Sequence, residues 1–237
     1  SLAVIPWMDS RGNMIVFGDT RGGSPYYETF ENLLPYYRAK GDNDKVKKLE
    51  SALMCGIQSG NYDRSEATWE GICSYVDELT TNTAVDPERS SYSRKHRMIT
   101  MKNGKGDSQL MALLYGGNKG AHLVANGLAI QLYSKGYAVV PDAAAYESYW
   151  SKDYAYHQSS TGANTILPGY TNGEISFVAM EPAPASDAYT QEVGLTPYLN
   201  FADIKAEEKR RLLVMMRTGD NTGYYVDIFR SNQMEND

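Results

Sequence analysis

The hydrophobic period of the chain changes once, near residue 90, and that change limits the folds open to it. Before it, apolar side chains recur at helical spacing; after it they alternate, as in strands whose two faces meet different neighbours. Phe30, Leu33, Leu34 and Tyr37 stand at i, i+3, i+4 and i+7. Ser24-Pro25 with Glu28 reads as a cap, a first-turn proline and a first-turn acid, Pro35 as a kink, and Gly41 as the stop. A second helix is expected from Asp42, burying Val46, Leu49 and Leu53 and stopping at Gly56. A third is expected from Ser65, with Trp69, Ile72, Cys73 and Val76 on one face. Three amphipathic helices in a row need a partner to cover their stripes.

From Tyr92 onward strands are expected over 98–102, 109–115, 128–133, 137–140, 164–167, 174–180, 211–217 and 224–229. Gly117-Asn118-Lys119-Gly120 and Thr218-Gly219-Asp220-Asn221-Thr222-Gly223 suit tight connections between them. The alternating charges of Asp203 to Arg211 read as a solvated connection. Many antiparallel strands joined by polar turns imply a β-sandwich rather than a βαβ sheet. The fold class is therefore mainly β with an N-terminal helical segment. Thr, Asn, Asp and Pro cluster between Leu79 and Tyr92, which divides the chain into a helical segment, 1–90, and a sandwich, 91–237.

With 237 residues, 42% hydrophobic and 22% charged, the chain has the composition of an ordinary globular protein. A net charge of −6 argues against nucleic acid as a partner, since phosphate neutralisation needs clustered Lys and Arg. It leaves room for a locally basic groove. The run Arg94-Lys95-His96-Arg97 could supply one, although a charge run at a sandwich edge is more usually a solvated face. Nineteen Tyr against five Phe fit two readings: rings that stack on sugars while their hydroxyls bond them, or strands that simply use Tyr. Cys55 and Cys73 have no metal-ligand spacing and read as packed thiols on helices. No apolar run approaches the ~20 residues a membrane-spanning helix needs. The start, Ser1-Leu2-Ala3-Val4-Ile5-Pro6-Trp7, lacks a charged region followed by an apolar core and reads as a mature or cut product.

The stretch 115–165 carries most of the candidate chemistry. His122 stands before the strand at 128–133, and Asp142 stands after the strand at 137–140. The order His122-x-x-x-Asn126-x-Leu128-x-Ile130-x-Leu132-Tyr133-x-x-Gly136, then Asp142, then Tyr146, Tyr149 and Trp150, then Ala163-Asn164-Thr165, resembles the heparinase II/III-like polysaccharide lyases. The resemblance is collinear from Gly18-Asp19 to Val226-Asp227-Ile228-Phe229, so it covers nearly the whole chain.

The resemblance implies the C-terminal part of such a lyase: the last helices of an α/α toroid followed by an antiparallel β-sandwich. It implies cleavage of an acidic, uronate-containing glycan by β-elimination, in a periplasmic or secreted protein. His122 matches a catalytic His of the family, to neutralise the substrate carboxylate or to act as base. Tyr154, Tyr156 and His157 would line the cleft, with the alternative that His157 is a structural member of a Tyr-rich loop. The family's zinc positions fall on Val124, Asp142 and Ala163. An isopropyl and a methyl group have no lone pair to donate, so no zinc and no other cofactor is expected. Asp142 is then left to cap a turn. The catalytic Tyr and Asn of the family would lie upstream, in the toroid, and this chain alone should be inactive. The alternative is a noncatalytic glycan-binding or structural sandwich that has lost the zinc site.

Overall fold

Among the described residues, nine strands form two antiparallel sheets behind a helical layer. The computed structural model describes residues 2–16, 23–66, 68–80, 90–93, 97–116, 127–141, 148, 150–151, 153–158, 160–165, 189–196, 198–206 and 209–231. The first sheet runs β1 Ser91–Ser93, β2 Met98–Asn103, β3 Leu110–Tyr115, β4 Ile130–Ser134 and β5 Tyr137–Val140, in sequence order. The second runs β6 Tyr189–Leu195, β7 Leu199–Ala206, β8 Lys209–Gly219 and β9 Thr222–Ser231.

Period-two alternation decides which face each side chain covers. Ile99 and Met101 of β2, Leu110, Ala112 and Leu114 of β3, and Ile130 of β4 pack against Ala202 and Ile204 of β7 and Leu213 and Met215 of β8. This is a β-sandwich core. The first sheet is covered on its other face as well, where Met111, Leu113 and Tyr133 meet Ile15, Trp7 and Met98. That double cover is why β3 is buried along its whole length.

The helices are α1 Tyr27–Ala39, α2 Asn43–Ser59 and α3 Trp69–Cys73, with a 3-10 stretch at Leu2–Trp7 before them. Phe30 and Leu34 of α1 and Val46, Leu49, Ala52 and Leu53 of α2 form their core with Ile5, Met8 and Val76. α2 starts next to Asp42, as expected, and the Asp42 side chain caps it, accepting from the Lys45 N–H at 3.3 Å.

Several local expectations are corrected. Tyr26, without a side-chain cap bond, is the N-cap of α1, so Ser24-Pro25 lies before the helix rather than opening it. Gly56 does not stop α2: it is buried within the helix because the Tyr27 ring lies against it, and Gly60, with φ 75°, ends the helix instead. The third helix begins at Thr68, whose side chain accepts from the Gly71 N–H, and it leaves Trp69, Ile72 and Cys73 exposed. Cys55 is a packed thiol; Cys73 is not. Finally, the expected connection from Asp203 to Arg211 contains the end of β7 and the start of β8. Ala202 and Ile204 face the core while Asp203 points away to Arg210, so charges on the outer row hid the alternation. β6 was also not expected. Of the strand expected over 164–167, Asn164 and Thr165 lie in a turn; 166–167 and 174–180 lie outside the described residues.

Candidate functional site

At one end of the sandwich, three separate pieces of chain are tied to one another and to β8. Gly127-Leu128 leads into β4, Pro141 ends β5, and Ala163-Asn164-Thr165 follows a short 3-10 turn at Ser160–Gly162. The Asn164 side-chain amide donates to the Pro141 carbonyl, and the Thr165 hydroxyl donates to the Gly127 carbonyl at 2.6 Å. The Ile130 N–H donates to the Asn164 carbonyl at 3.2 Å, so Asn164 extends the ladder of β4 where β5 has ended.

A guanidinium holds this junction from below. Arg211 is buried, and its Nη1 donates to the carbonyls of Leu128 at 2.7 Å and Asn164 at 2.6 Å. Its Nε and Nη2 meet the Asp227 carboxylate at 2.8 and 2.6 Å in a two-point fork. Leu128 carries a positive φ of 58°, a conformation that costs a non-glycine residue about 1–2 kcal/mol. Its side chain is nevertheless buried in the sandwich core.

The expected site residues distribute as follows. His122, Val124 and Asp142 lie outside the described residues. Ala163 is half-buried beside Asn164. Tyr154, Tyr156 and His157 lie on a single-turn helix, α4 Tyr154–Gln158. The His157 Nε2 lies 3.3 Å from the Asp153 Oδ2, one helical turn back, and its ring meets the half-exposed Tyr156 edge-on at 5.6 Å. Hydrogen bonds from Ser151, and then from His157, hold the Asp153 carboxyl below its ordinary range. A Cβ on Gly162 would come within 2.7 Å of the Tyr156 carbonyl, so α4 lies directly against the turn that delivers Ala163. Trp150 is almost fully exposed; Tyr146 and Tyr149 lie outside the described residues.

Arg211 and Asp227 were not singled out as site residues. The signal was present: Arg211 shares its parity with the inward-facing Leu213 and Met215, and a charge in an inward row needs a partner. The donor set at Val124, Asp142 and Ala163 does not fit zinc, because only the Asp can give a metal an electron pair. Among the described residues no three His, Cys, Asp or Glu side chains come together in a metal-like group.

Nearly the whole chain superposes on solved lyase structures. A crystal structure of heparinase III aligns over 98% of the chain with a TM-score of 0.61 and 12% identity. The chain shares its fold with part of heparinase III. A heparan sulfate lyase, HepC from Pedobacter heparinus, aligns over 97% with a TM-score of 0.60 and 11% identity. In sequence, an endo-acting ulvan lyase of Formosa agariphila is 22% identical over 177 residues, covering 65% of the chain. The chain spans 33% of the heparinase III chain, 31% of HepC and 22% of the ulvan lyase. No protein-family model matches it.

Proposed function

We propose that this chain is the C-terminal part of a polysaccharide lyase that cleaves a uronate-containing glycan by β-elimination. The observation that carries this reading is the joint likeness, over most of the chain, to the fold of heparinase III and to the sequence of an ulvan lyase. On this reading residues 1–90 end an α/α toroid, residues 91–237 are the sandwich, and the protein works outside the cytoplasm. No helix among the described residues is long and apolar enough to cross a membrane.

The reaction removes the C5 proton of the uronic acid, forms the C4=C5 double bond and expels the C4 oxygen with its electron pair. The C5 proton is too weakly acidic for an ordinary side chain unless the adjacent carboxylate is neutralised and the developing enolate is stabilised. His122 would bond that carboxylate or take the proton, and an upstream Tyr would complete the acid–base pair. Tyr154, Tyr156 and His157 would contact the sugar. The close seat of α4 against the turn before Ala163 supports this grouping, since it brings those rings to the end of the sandwich where Gly127 leads into β4.

One observation favours a second reading, a noncatalytic glycan-binding sandwich: the hydrocarbon side chains at Val124 and Ala163. Unsaturated uronate ends absorb in the ultraviolet, which separates the two. Heparan sulfate, ulvan, alginate and hyaluronan would be incubated with this chain, with the intact parent, and with the parent carrying His122→Ala. Signal from the intact parent alone, lost in His122→Ala, is expected. Silence of the intact parent on the whole panel, with retained binding, would favour the second reading.

A further inference from the structure

We propose that the Arg211–Asp227 pair, and not a metal ion, holds together the three chain segments that meet at this end of the sandwich. The inference stands whether or not the parent is a lyase. One guanidinium reaches two carbonyls from different segments, Leu128 and Asn164, while its remaining edge is fixed on a carboxylate. Asn164 then passes the constraint on: its carbonyl accepts from the Ile130 N–H and its side-chain amide donates to the Pro141 carbonyl. Thr165 closes the ring on Gly127.

Two features show that the junction is held rather than merely adjacent. Arg211 occupies an inward row of β8, where burying a charge is unfavourable unless it is fully paired. The pairing it receives is the fork on Asp227 and the two carbonyls. Leu128 is kept at positive φ with its side chain in the core, a conformation that persists only where the surroundings fix it, and Arg211 bonds the carbonyl of that same residue. A planar five-donor cation can bridge several carbonyls in fixed directions, the task that a metal performs with lone-pair donors. Val124 and Ala163 give a metal nothing to bind, whereas the backbone carbonyls around Arg211 suit a donor.

The Ile130 amide reports the junction directly, since it donates to the Asn164 carbonyl. Hydrogen exchange of the 237-residue chain would be followed for the unaltered protein, Arg211→Met and Asp227→Asn, each with and without a chelator, alongside its metal content. Arg211→Met should accelerate Ile130 exchange roughly tenfold or more, as expected when one charge-assisted bond no longer limits local opening. The amides of β3 should change much less, and chelation should change neither. Asp227→Asn keeps the side-chain volume and leaves Arg211 in place; it should give the same pattern, so the result survives if Arg211→Met does not fold. Unchanged Ile130 exchange in the variant or variants that fold would overturn the proposal. So would equal acceleration throughout β3, which marks general destabilisation, or acceleration on chelation alone.

Discussion

Asp9 is a buried carboxylate held by its own loop. Its Oδ1 accepts from the N–H groups of Arg11 and Asn13, both at 2.9 Å, and Asn13 Nδ2 lies 3.4 Å from Oδ2. Burial nonetheless wins and raises its pKa above the ordinary 3.8, against the pull of those bonds and of Lys102. The folded state therefore binds a proton more tightly than the unfolded state. Stability must fall as pH rises through the window between 3.8 and the raised value, and stay reduced above it. Asp9→Asn keeps an acceptor oxygen for the two N–H groups and removes the charge. The melting temperature of Asp9→Asn minus that of the parent should be near its minimum below pH 3.8, rise through the acid range and level off by neutrality. A difference that is flat or falls with pH would show that the loop bonds outweigh burial. Such residues are only partly readable from sequence. Arg211 keeps the parity of Leu213 and Met215, which marks its row, but its partners at Leu128, Asn164 and Asp227 lie far along the chain. Asp9, by contrast, is bonded by its neighbours Arg11 and Asn13, and only its burial comes from elsewhere. His122 is a different case: a motif resemblance proposes it, and it lies outside the described residues.

Gly56 shows how one element can be misjudged by a sound local rule. Glycine often ends a helix, and it costs about 1 kcal/mol in a helix interior relative to Ala. Here it stays inside α2 because a Cβ would lie 2.4 Å from the Tyr27 Cζ. The ring has nowhere to retreat: it stacks on Tyr62 at 5.4 Å, meets Phe30 edge-on, and sends its hydroxyl to the Gly12 carbonyl. Gly56→Ala should thus gain about 1 kcal/mol in propensity and lose about 1–3 kcal/mol to overpacking, with the loss toward the upper end because no free rotamer remains. Thermal unfolding should show a midpoint lowered by roughly 2–8 °C for a net cost of about 1–2 kcal/mol in a chain of this size. A midpoint that rises would mean that Tyr27 yields easily. The sandwich strands were the more legible elements wherever alternation was apolar, as in β2, β3 and β5, and were missed where polar residues interrupted it, as in β6 and β7. α3 was overextended because Trp69 and Ile72 match a helical stripe that the described residues leave uncovered.

The helical layer and the sandwich meet along the outer face of the first sheet, and Lys102 of β2 is a polar tie between them. It sits in the outward row with Met98 and Thr100, buried, and its ammonium donates to the carbonyl of Met8 and to that of Ile5 at 3.5 Å. Thr100 adds a hydroxyl to the Pro6 carbonyl at 3.3 Å. These bonds serve the end of the Leu2–Trp7 stretch, whose Ile5 and following Met8 belong to the core of α1 and α2. Nothing in the composition of the chain announced such a tie, since a lysine in an alternating strand reads as a solvated face. Lys102→Met keeps the stem volume but takes the ammonium donor from the Met8 carbonyl, at a cost of about 1–3 kcal/mol, while the Ile5 carbonyl keeps the Met8 N–H at 3.2 Å. That cost falls on the contact between layers rather than on either core, so cooperativity should suffer before the sandwich does. In rising urea, the amides of α2 and β3 should open at one midpoint in the parent, whereas in Lys102→Met those of α2 should open first, leaving β3 protected. Simultaneous opening in the variant would assign the coupling instead to the apolar contacts of Trp7 and Ile15 with Met111, Leu113 and Tyr133.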